Sequence, residues 1–190
     1  MSRRSSRVGN GGQKYAQVVN HIYFGNELLN KFINMTMYDG KKSIAMKHVN
    51  YALSALVPEF FPNIENEEEA MIEVLKLALE NVQSDLEVRS RRLGGATYQV
   101  PVALKDSRRI YLAFRWIILA ARDRSVKELD PNDYNKNNKF ANGDIGRKGF
   151  AMKLLTELRA ACKGVGNAVE KSKSIKKIAD ENKHFSHYRF

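Results

Sequence analysis

The chain has 190 residues, enough for one domain with a real core, and its hydrophobic fraction of 43% supports a folded protein over a disordered one. Lys and Arg number 32 against 21 Asp and Glu, a net charge of +11, which favours a polyanionic partner because neutralised phosphates release condensed counterions. Cys162 is the only cysteine, so an intrachain disulfide and a thiolate zinc site are excluded, and no apolar run approaches the ~20 residues of a membrane helix.

In chain order, Met1 to Lys14 is rich in Arg, Ser and Gly and free of acids. Residues 1–20, with Arg3 and Arg4, read as a basic flexible tail for RNA. A fragment of an organellar targeting peptide is the other reading, and the missing apolar face argues against it. Asn26 to Met37 reads as a short helix from Leu28, Leu29, Phe32 and Ile33, followed by a turn at Tyr38-Asp39-Gly40. A second helix is expected from Lys41 to Val57, ended by Pro58 and Pro62. A third starts at Asn66, with Glu69 placed as in a capping box. Its Glu67, Glu68 and Glu69 suit the positive end of the helix dipole. Between Glu59 and Glu87 nine acids face one base, Lys76, so the positive charge lies elsewhere in the chain.

The period then changes. Glu87 to Arg92 and Ala96 to Val102 are extended runs flanking Gly94-Gly95, a β-hairpin at about residues 86–103. Pro101 confines it to an edge or a ribbon of its own. A lone ribbon is marginal in water, and Arg89, Arg91 and Arg92 repel one another, so the arm is expected to be held open by a partner. Ser107 is placed as the cap of a fourth helix running to about Arg124. The polar, Asn/Lys-rich stretch at about 127–148 has no period and reads as a surface insertion. A fifth helix spans Phe150 to Cys162, and a sixth, lysine-rich, about Asn167 to Asn182. The fold class is therefore mainly α: a single helical domain, from about residue 21 to 190, of about six helices with a protruding two-stranded β-ribbon arm.

Three constellations suit nucleic acid. In the arm, arginine forks bind phosphate and stack on bases, Tyr98 and Gln99 lie on the second strand, and Gly94 and Gly95 let the tip approach a backbone. Tyr98 is expected to offer a stacking face to an unpaired base. Pairing of the arginines with Glu87 and the acidic helix is the competing reading. On the fourth helix Arg108, Arg115 and Arg122 recur every seven residues and so lie nearly in line. At the C-terminus Lys171, Lys173, Lys176 and Lys177 lead to Phe185, Tyr188 and Arg189, basic residues interleaved with aromatics. Phe185 and Tyr188 also suit docking of the tail on the core. Lys31, Lys41 and Lys42 add a further patch near the second helix.

Catalytic signals are weak. Asp39-Gly40-Lys41-Lys42-Ser43 lacks the first glycine of a P-loop and has an extra residue before the serine. Gly164-Val165-Gly166 follows a helix, not a strand, so it is no dinucleotide fingerprint. His184 and His187 lack further metal ligands at convincing spacing, and Cys162 reads as a small core residue. No cofactor, catalytic residue, metal site, membrane contact or small-molecule substrate is expected.

These segments also carry a resemblance. Lys31-Phe32-Ile33-Asn34 with Met37, Asp39-Gly40-Lys41-Lys42 and Ala45, then Glu87-Val88-Arg89, Arg91-Arg92 and Gly94-Gly95-Ala96-Thr97-Tyr98-Gln99-Val100-Pro101, then Trp116, Ala121-Arg122 and His187-Tyr188-Arg189 resemble the universal small-subunit ribosomal protein seven family. The resemblance implies a non-enzymatic structural protein that binds the 3′ major domain of small-subunit rRNA and nucleates head assembly. It implies an arm near exit-site tRNA and mRNA, with ribosomal proteins nine and eleven as neighbours. The insertion and the final Phe190 depart from the compact bacterial pattern. The insertion and the Lys/Asn bias suggest an organelle-encoded protein of the mitochondrial matrix, the cytoplasm of an AT-rich bacterium being the alternative. The rival classes are an architectural DNA protein using its ribbon, a protein-interaction module using the acidic helix, and a cryptic enzyme.

Overall fold

A computed structural model describes residues 26–125 and 149–189, and of Arg189 the backbone alone. The basic tail with Arg3 and Arg4, and the polar insertion, lie outside the described residues. Helix α1 spans Glu27–Thr36, with the Asn26 side chain accepting from the amides of Leu28 (2.8 Å) and Leu29 (3.4 Å). Leu29, Phe32 and Ile33 point inward at helical spacing. The expected turn follows, with Asp39 and Gly40 both at positive φ.

The second helix differs from its reading. Helix α2 covers Lys42–Ser54 and stops before the proline, and a short helix α3, Val57–Phe60, begins anew with Pro58 in its first turn. A missing N–H costs nothing there, since first-turn amides have no intrahelical partner, so Pro58 starts an element rather than ending one. Helix α4 spans Glu67–Val82 and is capped as expected, Asn66 accepting from the amide of Glu68 at 3.2 Å. Its stripe of Met71, Val74, Leu75, Ala78, Leu79 and Val82 is buried. Helix α5, Asp106–Asp123, starts one residue before Ser107: Lys105 is the N-cap, no side chain caps it, and Ser107 sits inside the first turn. Helices α6, Gly149–Cys162, and α7, Asn167–Glu181, match the fifth and sixth expected helices. The chain closes in 3-10 turns over Lys183–Arg189.

Helix α6 is the centre of the core, packing on α2, α4 and α5. Its C-terminal end is held from two sides. Asn81 of α4 donates to the carbonyls of Ala161 and Cys162, each at 3.0 Å, satisfying acceptors the helix leaves open. Arg159 and Lys163 reach Glu59 of α3 at 2.8 and 2.9 Å. Burial pushes the Glu59 carboxyl up, but its hydrogen bonds and attraction to these two cations outweigh that and hold it below its ordinary value.

Glu157, buried in the middle of α6, has no apolar reason to be there. It pairs with Arg124 and accepts from the Ala168 amide at 2.9 Å, so one carboxylate joins the end of α5 to the start of α7. The turn before α7 is fitted around it. Gly166 has a φ of +102°, and a Cβ there would stand 2.9 Å from the Ala160 Cβ and 3.2 Å from a Glu157 oxygen.

The described residues thus form a mainly α fold with one antiparallel β-ribbon. Strands β1, Leu86–Leu93, and β2, Ala96–Ala103, pair in the register Arg89 with Val100, Arg91 with Tyr98 and Leu93 with Ala96. Gly94 and Gly95 close the hairpin at φ of +56° and +89°, the paired positive values that a two-residue type I′ turn requires.

Candidate nucleic-acid interface

The arm has an anchored base and an exposed tip. Glu87, Val100 and Pro101 are buried at the base, where β1 packs on α7 and β2 on the C-terminal 3-10 turns. From Arg89 to Thr97 every residue is exposed. The ribbon is therefore held from its own side by the body of the protein, which offsets the marginal stability of two strands without requiring a partner.

Strand alternation divides its arginines. Arg89 and Arg91 share the face of Val100 and Tyr98, whereas Arg92 shares the opposite face with Thr97 and Gln99. Arg89 and Arg108, from β1 and α5, both pair with Glu87. The competing reading is thus realised for Arg89: it is committed to a nearly buried carboxylate. Arg91 and Arg92 are exposed at the tip.

Tyr98 is half-buried and is not a free stacking face. Its ring centroid lies 5.1 Å from that of Phe185 and 5.4 Å from that of Tyr188. Phe185 and Tyr188 are themselves near-parallel at 18°. This cluster fixes the C-terminal turns to β2, so the aromatics of the tail serve docking. The expected interleaving of tail aromatics and cations did not indicate which group they would meet. His184 and His187 lie tilted against the neighbouring rings of Phe185 and Tyr188, and among the described residues no three metal-ligating side chains cluster.

The α5 line is present and fixed at both ends. Arg108, Arg115 and Arg122 are all exposed. Arg108 is held by Glu87 and lies 5.3 Å from the Tyr111 ring. Arg122 donates to the Thr36 carbonyl at 3.3 Å and lies 5.9 Å from the Phe150 ring, while Arg115 stands between them. Guanidinium groups held in place lose less freedom when they bind. On α7, Lys173, Lys176 and Lys177 are exposed one turn apart while Val169 and Ser172 face inward. Lys41 is exposed ahead of α2, whereas Lys31 and Lys42 are half-buried.

The Glu87 bridge therefore joins the arm to α5, α7 packs on both, and the aromatic cluster joins the arm to the C-terminus. Sequence reasoning named the cations. It offered Glu87 as the arginines' partner only in the competing reading, and it missed Glu157, whose only signal was an acid at a position the helical pattern turns inward.

The chain matches the family described as ribosomal protein S7p/S5e over residues 8–183. It belongs to that family. It is 41% identical to the small ribosomal subunit protein uS7 of Methylococcus capsulatus over 174 residues, 92% of this chain and 94% of the relative. It is 40% identical to the uS7 protein of Psychromonas ingrahamii over 167 residues, 88% and 89% of the two chains. As an S7p/S5e protein it is a structural component of the ribosome and not an enzyme.

Two expectations at the site can be measured. Replacing Arg91 and Arg92 together with Ala should weaken RNA binding about 10- to 100-fold and leave the melting temperature within about 2 °C, since neither side chain supports the core. A large drop in melting temperature would assign them to the fold instead. Cys162 is buried with its thiol 3.6 Å from the Val74 carbonyl, and burial pushes its pKa up to about 11. The reactive thiolate is scarce at neutral pH, so native protein should resist alkylation that denatured protein undergoes at once. Equal rates in the two states would contradict its placement in the core.

Proposed function

We propose that this protein binds the 3′ major domain of small-subunit rRNA and nucleates assembly of the subunit head. The observation that carries the reading is a set of exposed cations on elements that pack together: Arg91 and Arg92 on the arm, the Arg108–Arg115–Arg122 line of α5, and Lys173, Lys176 and Lys177 of α7, with the arm tied to α5 through Glu87 and packed on α7. Such a surface grips a folded RNA by phosphates and shape, because RNA duplexes hide base edges in a narrow major groove. Lys31, Lys41, Lys42, Tyr188, Arg189 and, in the tail, Arg3 and Arg4 are further contacts of this reading.

In this reading the arm tip, with Arg91, Arg92, Gly94, Gly95 and Tyr98, lies beside exit-site tRNA and mRNA. Ribosomal proteins nine and eleven of the small subunit are its protein neighbours. The domain of this reading runs from about residue 21 to 190 and includes the polar insertion at about 127–148. The two bacterial relatives support the bacterial cytoplasm over the mitochondrial matrix, for which the insertion and the Lys/Asn bias are the arguments.

Sedimentation tests the reading. The protein should travel with the small subunit and leave it after ribonuclease treatment. Sedimentation unchanged by ribonuclease would favour a protein-interaction module built on the acidic face of α4.

A further inference from the structure

Past Arg122 the cationic line of α5 opens into a cleft of about 320 Å³ between the α1–α2 turn, α2 and the start of α6. Its walls are Tyr38, Ile44, His48 and Phe150, with Lys41 and Arg122 among the lining residues and, among the described residues, no acid. We propose that this cleft takes one unpaired nucleobase of the RNA that runs along α5, stacked on Tyr38, with the adjoining phosphate held by Lys41 and Arg122. The proposal rests on the rRNA-binding reading above and adds to it a single-base site.

Three observations point to a base rather than to phosphate alone, and a fourth places a cation for the adjoining phosphate. Tyr38 is 71% exposed and Ile44 49%, apolar surface left in water beside two cations, which suits a ligand with a flat apolar part and an anionic part. The volume is at the small end of pockets that hold organic ligands, enough for one base. His48 is half-buried in the cleft wall, and its buried Nδ1 has no hydrogen-bond partner among the described residues, so a turn of the ring would let a base edge satisfy it. Burial also lowers the His48 pKa, so the ring is neutral and able to donate at one nitrogen and accept at the other. Finally, Arg122 is held by the Thr36 carbonyl and by Phe150, so its fork is fixed at the mouth. A second cleft with Met35, Tyr111 and Arg115 adjoins it through Arg122, which makes the site continuous with the α5 line.

The test is binding of the full chain to a transcript of the rRNA 3′ major domain, measured across a salt series. Tyr38→Ala should weaken binding about 5- to 150-fold, the loss of one base–aromatic stack. The salt slope should stay as in the wild type, because no phosphate contact is removed. Melting should not change, since Tyr38 is exposed, and Tyr38→Phe should keep the affinity because it keeps the ring. Wild-type binding with Tyr38→Ala affinity within twofold would overturn the base site and leave the rRNA reading intact. A Tyr38→Phe loss as large as that of Tyr38→Ala would overturn stacking as its basis. Absence of wild-type binding would overturn both.

Discussion

Raising salt from 50 to 200 mM should weaken the complex with small-subunit rRNA about 10³- to 10⁵-fold, the loss expected when about six to ten phosphates are engaged. Eight exposed cations are positioned to engage them: Lys41, Arg91, Arg92, Arg115, Arg122, Lys173, Lys176 and Lys177. Arg89 and Arg108 share Glu87, so together the three groups add the net charge of one arginine and not of two. Each phosphate neutralised returns a condensed counterion to bulk, and that release is worth less as the bulk concentration rises. Filter binding across the series gives the slope. Replacing Arg115 alone with Ala should make it shallower by about one ion. A nearly flat response would mean that the cationic surface is a solvated face and not the interface.

Glu157→Ala should be among the most damaging single changes in the body of the protein, costing about 3–5 kcal/mol. The side chain is 0% exposed, and that of its partner Arg124 is 12% exposed. Truncation leaves a guanidinium nearly buried without its carboxylate, and it removes the acceptor of the Ala168 amide at the start of α7. The loss reaches the binding surface, because α7 carries Lys173, Lys176 and Lys177 and braces the arm. Chemical denaturation reads the cost directly. Glu157→Gln keeps an acceptor for the amide and should cost less than Glu157→Ala. Equal stability of Glu157→Ala and the wild type would show that the pair contributes only geometry.

The elements legible in the sequence are those whose signal is local. The α4 stripe with its Asn66 cap, and the Gly94-Gly95 turn between two extended runs, follow from periodicity and backbone chemistry alone. The break between α2 and α3 was not legible, because a proline is compatible both with ending a helix and with beginning one. The arginines of the site were legible as charges. Their states were not: whether Arg89 is committed to Glu87, or Arg122 to Thr36, depends on which groups the fold brings together over 2 residues in one case and 86 in the other. Tyr98 makes the same point. Its ring suits a base, and only the path of the C-terminal turns brings Phe185 and Tyr188 to it first.

Competition between nucleic acids bears most directly on the claim that fixed cations on this fold meet a folded RNA. With labelled 3′ major domain rRNA bound, unlabelled rRNA should displace it at far lower concentration than duplex DNA of equal length. Displacement at the same concentration would contradict the account, since the surface would then read only charge and the ribbon would serve DNA as well.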